Sequence, residues 1–490
     1  SEVLTADIET QLNAGTDVTL QASNDITLSN AIGASNPAGD GGALALQAGR
    51  SILVDDDINT DNGNVSLIGN ATLADGVVEA DRDPGLANIT IGAATTIDTG
   101  SGSVRIELRD GIDNTKAGSI EMQSNSLINT TGGDVELRAS QGISLNSGAA
   151  IQTGGGNIDI VNNVEFDGTN FVFDGDGFPV SSGATGNFPG VKLSEANLDS
   201  GGGDIRLAGV GGTDEFFFPG NNVILLLRNN GVSILNNSDI DTGGGNLSIA
   251  GAGGDQRDGD GVSIFTSSVL AGSGDISING LSGQTTAKAR GVLVQDSTLS
   301  SDGKIDLFGK SLGEGNDSRG IVVVESINEG STSISQSPDG EGIDMTGIGS
   351  NNVFAETIGN DGVVIEDPTS VIEGSTSVIA GQGGVSIKGI EGDPNMSNAF
   401  SIAVKGDAIV EAQNGGNLLF EAIGKDNGMP DLYLGGEASN VVIGGPGTET
   451  IELITNTIDS NAAYEGNSLF IETVDANAPI KIGPGDPATE

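Results

Sequence analysis

Apolar and polar positions alternate along most of this chain in a unit that recurs. In Ile240-Asp241-Thr242-Gly243-Gly244-Gly245-Asn246-Leu247-Ser248-Ile249 an apolar residue and a polar pair lead into a glycine-rich corner, then apolar, polar, apolar. Ile151–Ile160 and Leu198–Leu207 repeat the unit, and looser copies centre on Gly63, Gly102, Gly133, Gly274, Gly303, Gly384 and Gly416. Alternation with period two marks a strand. The glycines mark a bend that needs positive φ or close backbone approach. A second unit, as in Gly261-Val262-Ser263-Ile264-Phe265, Gly291-Val292-Leu293-Val294-Gln295 and Gly320-Ile321-Val322-Val323-Val324, interleaves with the first. Between 245 and 303 both recur about every 29 residues, so one coil holds both units plus a variable corner. Elsewhere the interval runs from 23 to 47 residues. A constant strand motif with irregular spacing predicts a solenoid, an all-β parallel β-helix with corner-loop insertions. The hairpin signals of a propeller are missing between these strands.

The reading gives one continuous β-helix over 1–482 and a Pro/Gly-rich tail over 483–490. Ile158, Ile160, Ile205, Leu207, Leu247 and Ile249 are expected to point inward. A column of roughly 17–20 coils, each adding ~4.8 Å, predicts a rod on the order of 80–95 Å long. Neither end shows an amphipathic helix: the chain reads as a strand motif from Val3 to Leu12 and again at Pro479–Ile482. Open ends of this kind predict head-to-tail stacking, with the chain itself as partner.

Composition narrows the function. Gly is 80 of 490 residues, and aromatics are few, with 14 Phe, 2 Tyr and no Trp, which suits a narrow aliphatic column better than a large globular core. The net charge is −49, and the 19 Lys and Arg are scattered. That argues against nucleic acid and anionic membrane surfaces as partners, since both need basic patches. No basic groove for a uronate substrate is apparent. There is no Cys and no His, so disulfides and thiolate metal sites are excluded and a common general base is missing. The N-terminal residues form no signal peptide, and no apolar run is long enough for membrane insertion.

The segment Ala6-Asp7-Ile8-Glu9-Thr10-Gln11-Leu12-Asn13-Ala14-Gly15-Thr16-Asp17-Val18-Thr19-Leu20-Gln21-Ala22, followed by Asn24-Asp25-Ile26-Thr27-Leu28, resembles the repeats of filamentous haemagglutinin-like exoproteins, and most closely the long surface proteins of cyanobacteria. The resemblance runs through nearly the whole chain. It implies a right-handed parallel β-helix, two-partner secretion, and a secreted or cell-surface adhesin or fibre. The family's N-terminal secretion domain, with its Asn-Pro-Asn-Leu-type motif, is not present in this sequence.

Two groups of residues break the repeat. Eight of 14 Phe lie between 164 and 219, around a stretch at 167–190 that reads as a corner insertion leaving the rod. Phe171, Phe173, Phe178, Phe188, Phe216, Phe217 and Phe218 are candidates for a satellite core, for an exposed patch that meets a glycan or protein partner, or for a subunit contact. Acidic clusters occur at Asp55-Asp56-Asp57, at Asp174 and Asp176, and at Asp255, Asp258 and Asp260. The oxygens at Asp174, Asp176, Asp255, Asp258 and Asp260 could cradle Ca²⁺, although none completes the twelve-residue EF-hand loop. No cofactor is required. The expectation is a structural or adhesive extracellular rod without enzymatic activity, with self or cell-surface and matrix glycans as partners. The alternatives are a glycan-binding module or, less favoured, a β-helical polysaccharide lyase or glycosidase, which acids alone would permit.

Overall fold

The computed structural model describes residues 2–475 except 38, 73–75, 110–117, 214–228, 255–258, 285–288, 314–317, 326–330, 351–360, 368–374, 392–398, 425–429 and 436–439. Every third strand joins the same sheet, which gives three sheets of 15, 14 and 14 strands, here A, B and C. All pairings between neighbouring strands of these sheets are parallel. Each coil thus contributes one strand to each sheet, and the chain is a parallel β-helix, as the repeat predicts. Sheet A runs from Val18–Ala22 to Ser468–Glu472. At ~4.8 Å per step its 15 strands span roughly 65–70 Å. The expected coil number was too high because long corners consume chain without adding strands: 21 residues separate Val210 in sheet A from Val232 in sheet B.

The inward assignment holds. Ile158, Ile160, Ile205, Leu207, Leu247 and Ile249 are all at most 1% exposed and belong to one cluster running along the axis. Register keeps like on like, as in Ile158–Ile205–Leu247–Ile276–Ile305–Ile343. Sheet A alternates buried and more exposed residues, but central strands of sheet B, such as Ile321–Val324, are buried at three positions running. The outward residues Leu293, Val322, Val364 and Ala403 are 5, 3, 0 and 0% exposed. Where the outward positions of sheet B are buried as well, the strand reads as a continuous apolar run, which is why the second unit lacks alternation there.

Backbone contact closes the coil at two corners. Between sheets C and A, a Cβ built on Gly156, Gly203, Gly245 or Gly274 would lie 1.9–2.2 Å from the carbonyl oxygen of the equivalent glycine one coil earlier. A buried hydroxyl completes each turn: Thr99, Thr130, Ser200 and Thr242 donate to the carbonyls of Gly102, Gly133, Gly203 and Gly245, all at 2.5 Å. Between A and B a second glycine row, Gly209, Gly251, Gly280, Gly309 and Gly347, presses on the carbonyls of Gly231, Gly261, Gly291, Gly320 and Gly362 at 2.0–2.4 Å from a built Cβ. The polar residue after the first corner forms an external ladder. Backbone N–H groups of Asn157, Asp204, Asn246, Asp275 and Lys304 donate to the side-chain oxygens of Asp134, Asn157, Asp204, Asn246 and Asp275, at 2.8–3.0 Å. Asp and Asn alternate up this ladder, so no two carboxylates are neighbours.

The first end of the column is not open. Thr5–Asn13 is a helix, α1, whose Ile8 and Leu12 are buried in the core cluster. Glu9 Oε1 accepts from Gly33 N–H at 2.9 Å and Asn13 Oδ1 from Ser35 N–H at 2.5 Å, so α1 also satisfies donors beside the first strand of sheet C. This corrects the strand reading of Val3–Leu12. Ile8 and Leu12 are four apart, which is a helical as well as an alternating spacing. At the other end, Leu469 and Ile471 continue the inward rows but are 45 and 37% exposed. Pro479–Ile482 and the 483–490 tail lie outside the described residues.

Gly280 tests the close approach. Its Cβ would meet Gly291 O at 2.0 Å, whereas one on Gly175, in the insertion, meets nothing within 4 Å. Gly280→Ala should cost about 1–3 kcal/mol or more through overpacking, and Gly175→Ala should be near neutral, as read by urea unfolding.

Candidate functional site

Three features outside the column are candidates: the phenylalanine insertion, the acidic groups, and a groove on sheet B.

The insertion at 167–190 does not leave the rod. It forms antiparallel bridges Val164–Ser181, Phe166–Phe171 and Phe173–Pro179, and lies along the outer face of sheet A. Phe171 and Phe173 pack on a cluster of Val161, Val164, Ala208, Val210 and Ala252. Phe178, 1% exposed, stacks on Phe308 with ring centroids 5.2 Å apart, and Asp176 pairs with Lys310 Nζ at 3.2 Å. From the strand Ile158–Asn162 to the strand Ile305–Lys310 this strap crosses four coil steps, about 19 Å. Ala208 and Ala250 stand where the strap needs room. Phe188 is 9% exposed, and Phe216, Phe217 and Phe218 lie outside the described residues. An exposed patch of these rings is therefore corrected for Phe178 and Phe188, whose faces are spent on the rod. Phe166 remains 45% exposed, with the Arg138 guanidinium 5.2 Å from its ring and 4.7 Å from that of Phe171.

Among the described residues, the candidates Asp174, Asp176 and Asp260 are not brought together as a cation cage. Asp174 Oδ1 accepts from the N–H groups of Asp176 and Phe178 at 3.0 and 2.9 Å, which fixes a turn. Asp260 is buried; its carboxylate accepts from Arg290 N–H at 2.9 Å, and Arg290 Nη1 lies 3.7 Å away. Asp255 and Asp258 lie outside the described residues. Among the described residues no group of three acids could hold a metal ion.

A different acidic pair is unusual and was not legible. Glu325 and Asp367 occupy stacked positions where sheet B turns toward sheet C, and are 2 and 4% exposed. The two carboxyls face each other at close range, and Glu325 Oε2 has no hydrogen-bond partner among the described residues. Burial, then the charge on Asp367 and more weakly those on Asp296 and Asp407, pushes the Glu325 carboxyl up to about 7. Burial likewise raises Asp367.

The groove crosses four coils on the outer face of sheet B, with a volume of about 320 Å³. Lys192, Ser233, Ser263 and Leu293 form its central row, in direct register. Leu235, Phe265 and Gln295 form the next row, and Pro189, Asn230 and Arg290 line the side where each strand begins. Among the described residues, none lining it is a carboxylate and none forms an ion pair with Lys192. Nε of Arg290 is buried without a hydrogen-bond partner. This corrects the expectation that no basic groove exists: Lys192 and Arg290 are 98 residues apart and only the coil brings them to one surface.

No protein-family model, curated protein or solved structure matches this chain. No helix among the described residues is long and apolar enough to cross a membrane.

The carboxyl pair predicts a pH dependence. Glu325 keeps its proton in the fold up to about pH 7 and loses it near 4.5 when unfolded. Between those values the unfolded chain binds fewer protons, so the stabilisation present at pH 4.5 is lost as pH rises to 7. Glu325→Gln should flatten this fall: the difference in melting temperature between variant and wild type should grow in the variant's favour from pH 5 to pH 8. A constant difference across that range would show that Glu325 is not protonated in the fold.

Proposed function

We propose that this chain is the rod of an extracellular structural or adhesive protein. The observation that carries the reading is the in-register column, 15 strands deep in sheet A, with a length of roughly 65–70 Å. The net charge of −49 keeps such rods apart and soluble, and a chain without cysteine folds without disulfide chemistry. The resemblance of the repeats to filamentous haemagglutinin-like exoproteins supports the same reading and, with it, export by two-partner secretion. No catalytic role belongs to it. Cell-surface or matrix glycans are the partners it favours.

Head-to-tail assembly, in this reading, is gated by α1. The helix covers the face on which another copy would stack, through Ile8 and Leu12. Assembly then needs α1 to be displaced.

Immunogold labelling with antibodies to the purified protein tests the location. Label on the cell surface or on extracellular fibres is expected, and label confined to the cytosol would contradict the proposal. Light scattering tests the gate. The intact chain should stay monomeric across a salt series, while a variant lacking residues 2–14 should assemble, more readily as salt screens the charge. Filaments formed equally by the intact chain would overturn the role given to α1.

A further inference from the structure

We infer that the groove on sheet B is a binding site for an acidic oligosaccharide, one whose sugar units carry carboxylates. The inference does not rest on the extracellular reading, since it concerns the purified molecule wherever it resides.

Charge is the first argument. The chain carries 68 acids against 19 Lys and Arg, so its surface repels anions at long range. Most described cations on sheet A are neutralised at once: Arg206 by Asp159, Lys388 by Glu421, Lys304 by Asp344. The groove departs from this pattern. Lys192 has no carboxylate partner among the described residues, and Arg290 has only the long 3.7 Å approach to Asp260. Asp260 is in turn engaged by the Arg290 backbone N–H, and its own N–H donates to Asn230 Oδ1 at 2.9 Å. Arg290 is therefore held in place by its main chain, with the Nε of its half-buried guanidinium left unsatisfied. The exposed part of that guanidinium and the Lys192 ammonium are the groups an anionic acceptor would meet.

The floor gives the second argument. Leu235 and Phe265 are half-buried neighbours in register, and Leu293, in the adjoining row, lies beneath the surface at 5% exposure. Leu235 and Phe265 offer an apolar strip between the cations. Ser263 and Gln295 border it, and their side chains have no hydrogen-bond partner among the described residues, while Ser233 Oγ accepts from Asn230 Nδ2 at 3.0 Å. A strip of this kind suits the C–H face of a sugar ring, with hydroxyls reaching Ser263 and Gln295 and carboxylates reaching Lys192 and Arg290.

Other anions fit less well. Nucleic acid brings about one charge per nucleotide and needs many cations; two face this groove. An extended acidic peptide would gain by adding a strand to an open edge. The strands beneath the groove are interior to sheet B and paired on both sides. The recognition must be by side chains alone, which suits a ligand rich in hydroxyls.

Calorimetry on the full chain with a hexamer of galacturonic acid, a neutral hexasaccharide, a sulfated hexasaccharide and hexaglutamate tests the proposal. The uronate should bind saturably, at least tenfold more tightly than the neutral sugar and hexaglutamate, and more weakly as salt rises. Lys192→Gln and Phe265→Ala should each weaken it about five- to tenfold, with melting curves showing the variants folded. Lys192→Arg should restore most of the affinity. Equal binding of the neutral sugar or of hexaglutamate, preference for the sulfated sugar, affinity unchanged in both variants, or no saturable uronate binding at millimolar concentration would each overturn it.

Discussion

The close approach of glycine backbones at two corners is the constraint on which the rest of this rod depends. Where Gly280 faces the carbonyl of Gly291, and Gly245 that of Gly203, there is no space for a Cβ. The coil can close at these points only if every turn enters its corner at the same residue. That requirement fixes the register of the strands that follow. Once register is fixed, identical positions stack, and the column of Ile, Val and Leu, the buried Thr and Ser hydroxyls and the Asp–Asn ladder all follow from repetition. No single contact in these rows is strong. Each apolar side chain contributes in proportion to its buried area, and each neutral hydrogen bond about 0.5–1.5 kcal/mol. Stability accumulates coil by coil along the axis.

The same constraint decides where variation is allowed. Between the A and B glycine rows the chain leaves the column and returns, so the length of the excursion does not alter the coil. The strap at 167–190 exploits this freedom. It ties four coils together on the outside through Phe178 on Phe308 and Asp176 on Lys310. Chemistry has also been admitted at sheet B, where Lys192 and Arg290 face a groove and where burial raises the carboxyls of Glu325 and Asp367 in the same sheet's later turns. Lys192, with no carboxylate partner among the described residues, departs from the ion-paired cations of sheet A.

What the sequence revealed follows from the range of each interaction. The sheets, the first glycine corner and the inward rows rest on local patterns, and Leu247 and Ile249 could be placed from the triplet they occupy. The second glycine row at Gly251, Gly280 and Gly309 was hidden because each stands at the end of a strand rather than in a visible glycine cluster. Helix α1 was misread because Ile8, Thr10 and Leu12 satisfy a period of two as well as a helical turn. The strap could not be seen to lie flat, because its anchors Phe308 and Lys310 are more than 100 residues away. The groove was invisible for the same reason. Its lining is drawn from four coils, and a scattered set of cations becomes a site only when those coils stack.

The register itself can be measured directly, because the chain has no cysteine of its own. Ser248 and Ser277 are register partners on the outer face of sheet A, whereas Ser248 and Asn279 are offset by two residues. Neighbouring strands lie ~4.8 Å apart, within the Cα separation of a disulfide. Mild oxidation of the double variant Ser248→Cys/Ser277→Cys should therefore close a disulfide rapidly and nearly completely, while Ser248→Cys/Asn279→Cys stays reduced. Preferential crosslinking of the offset pair, or of neither, would contradict the account of a column locked in register by its glycine corners.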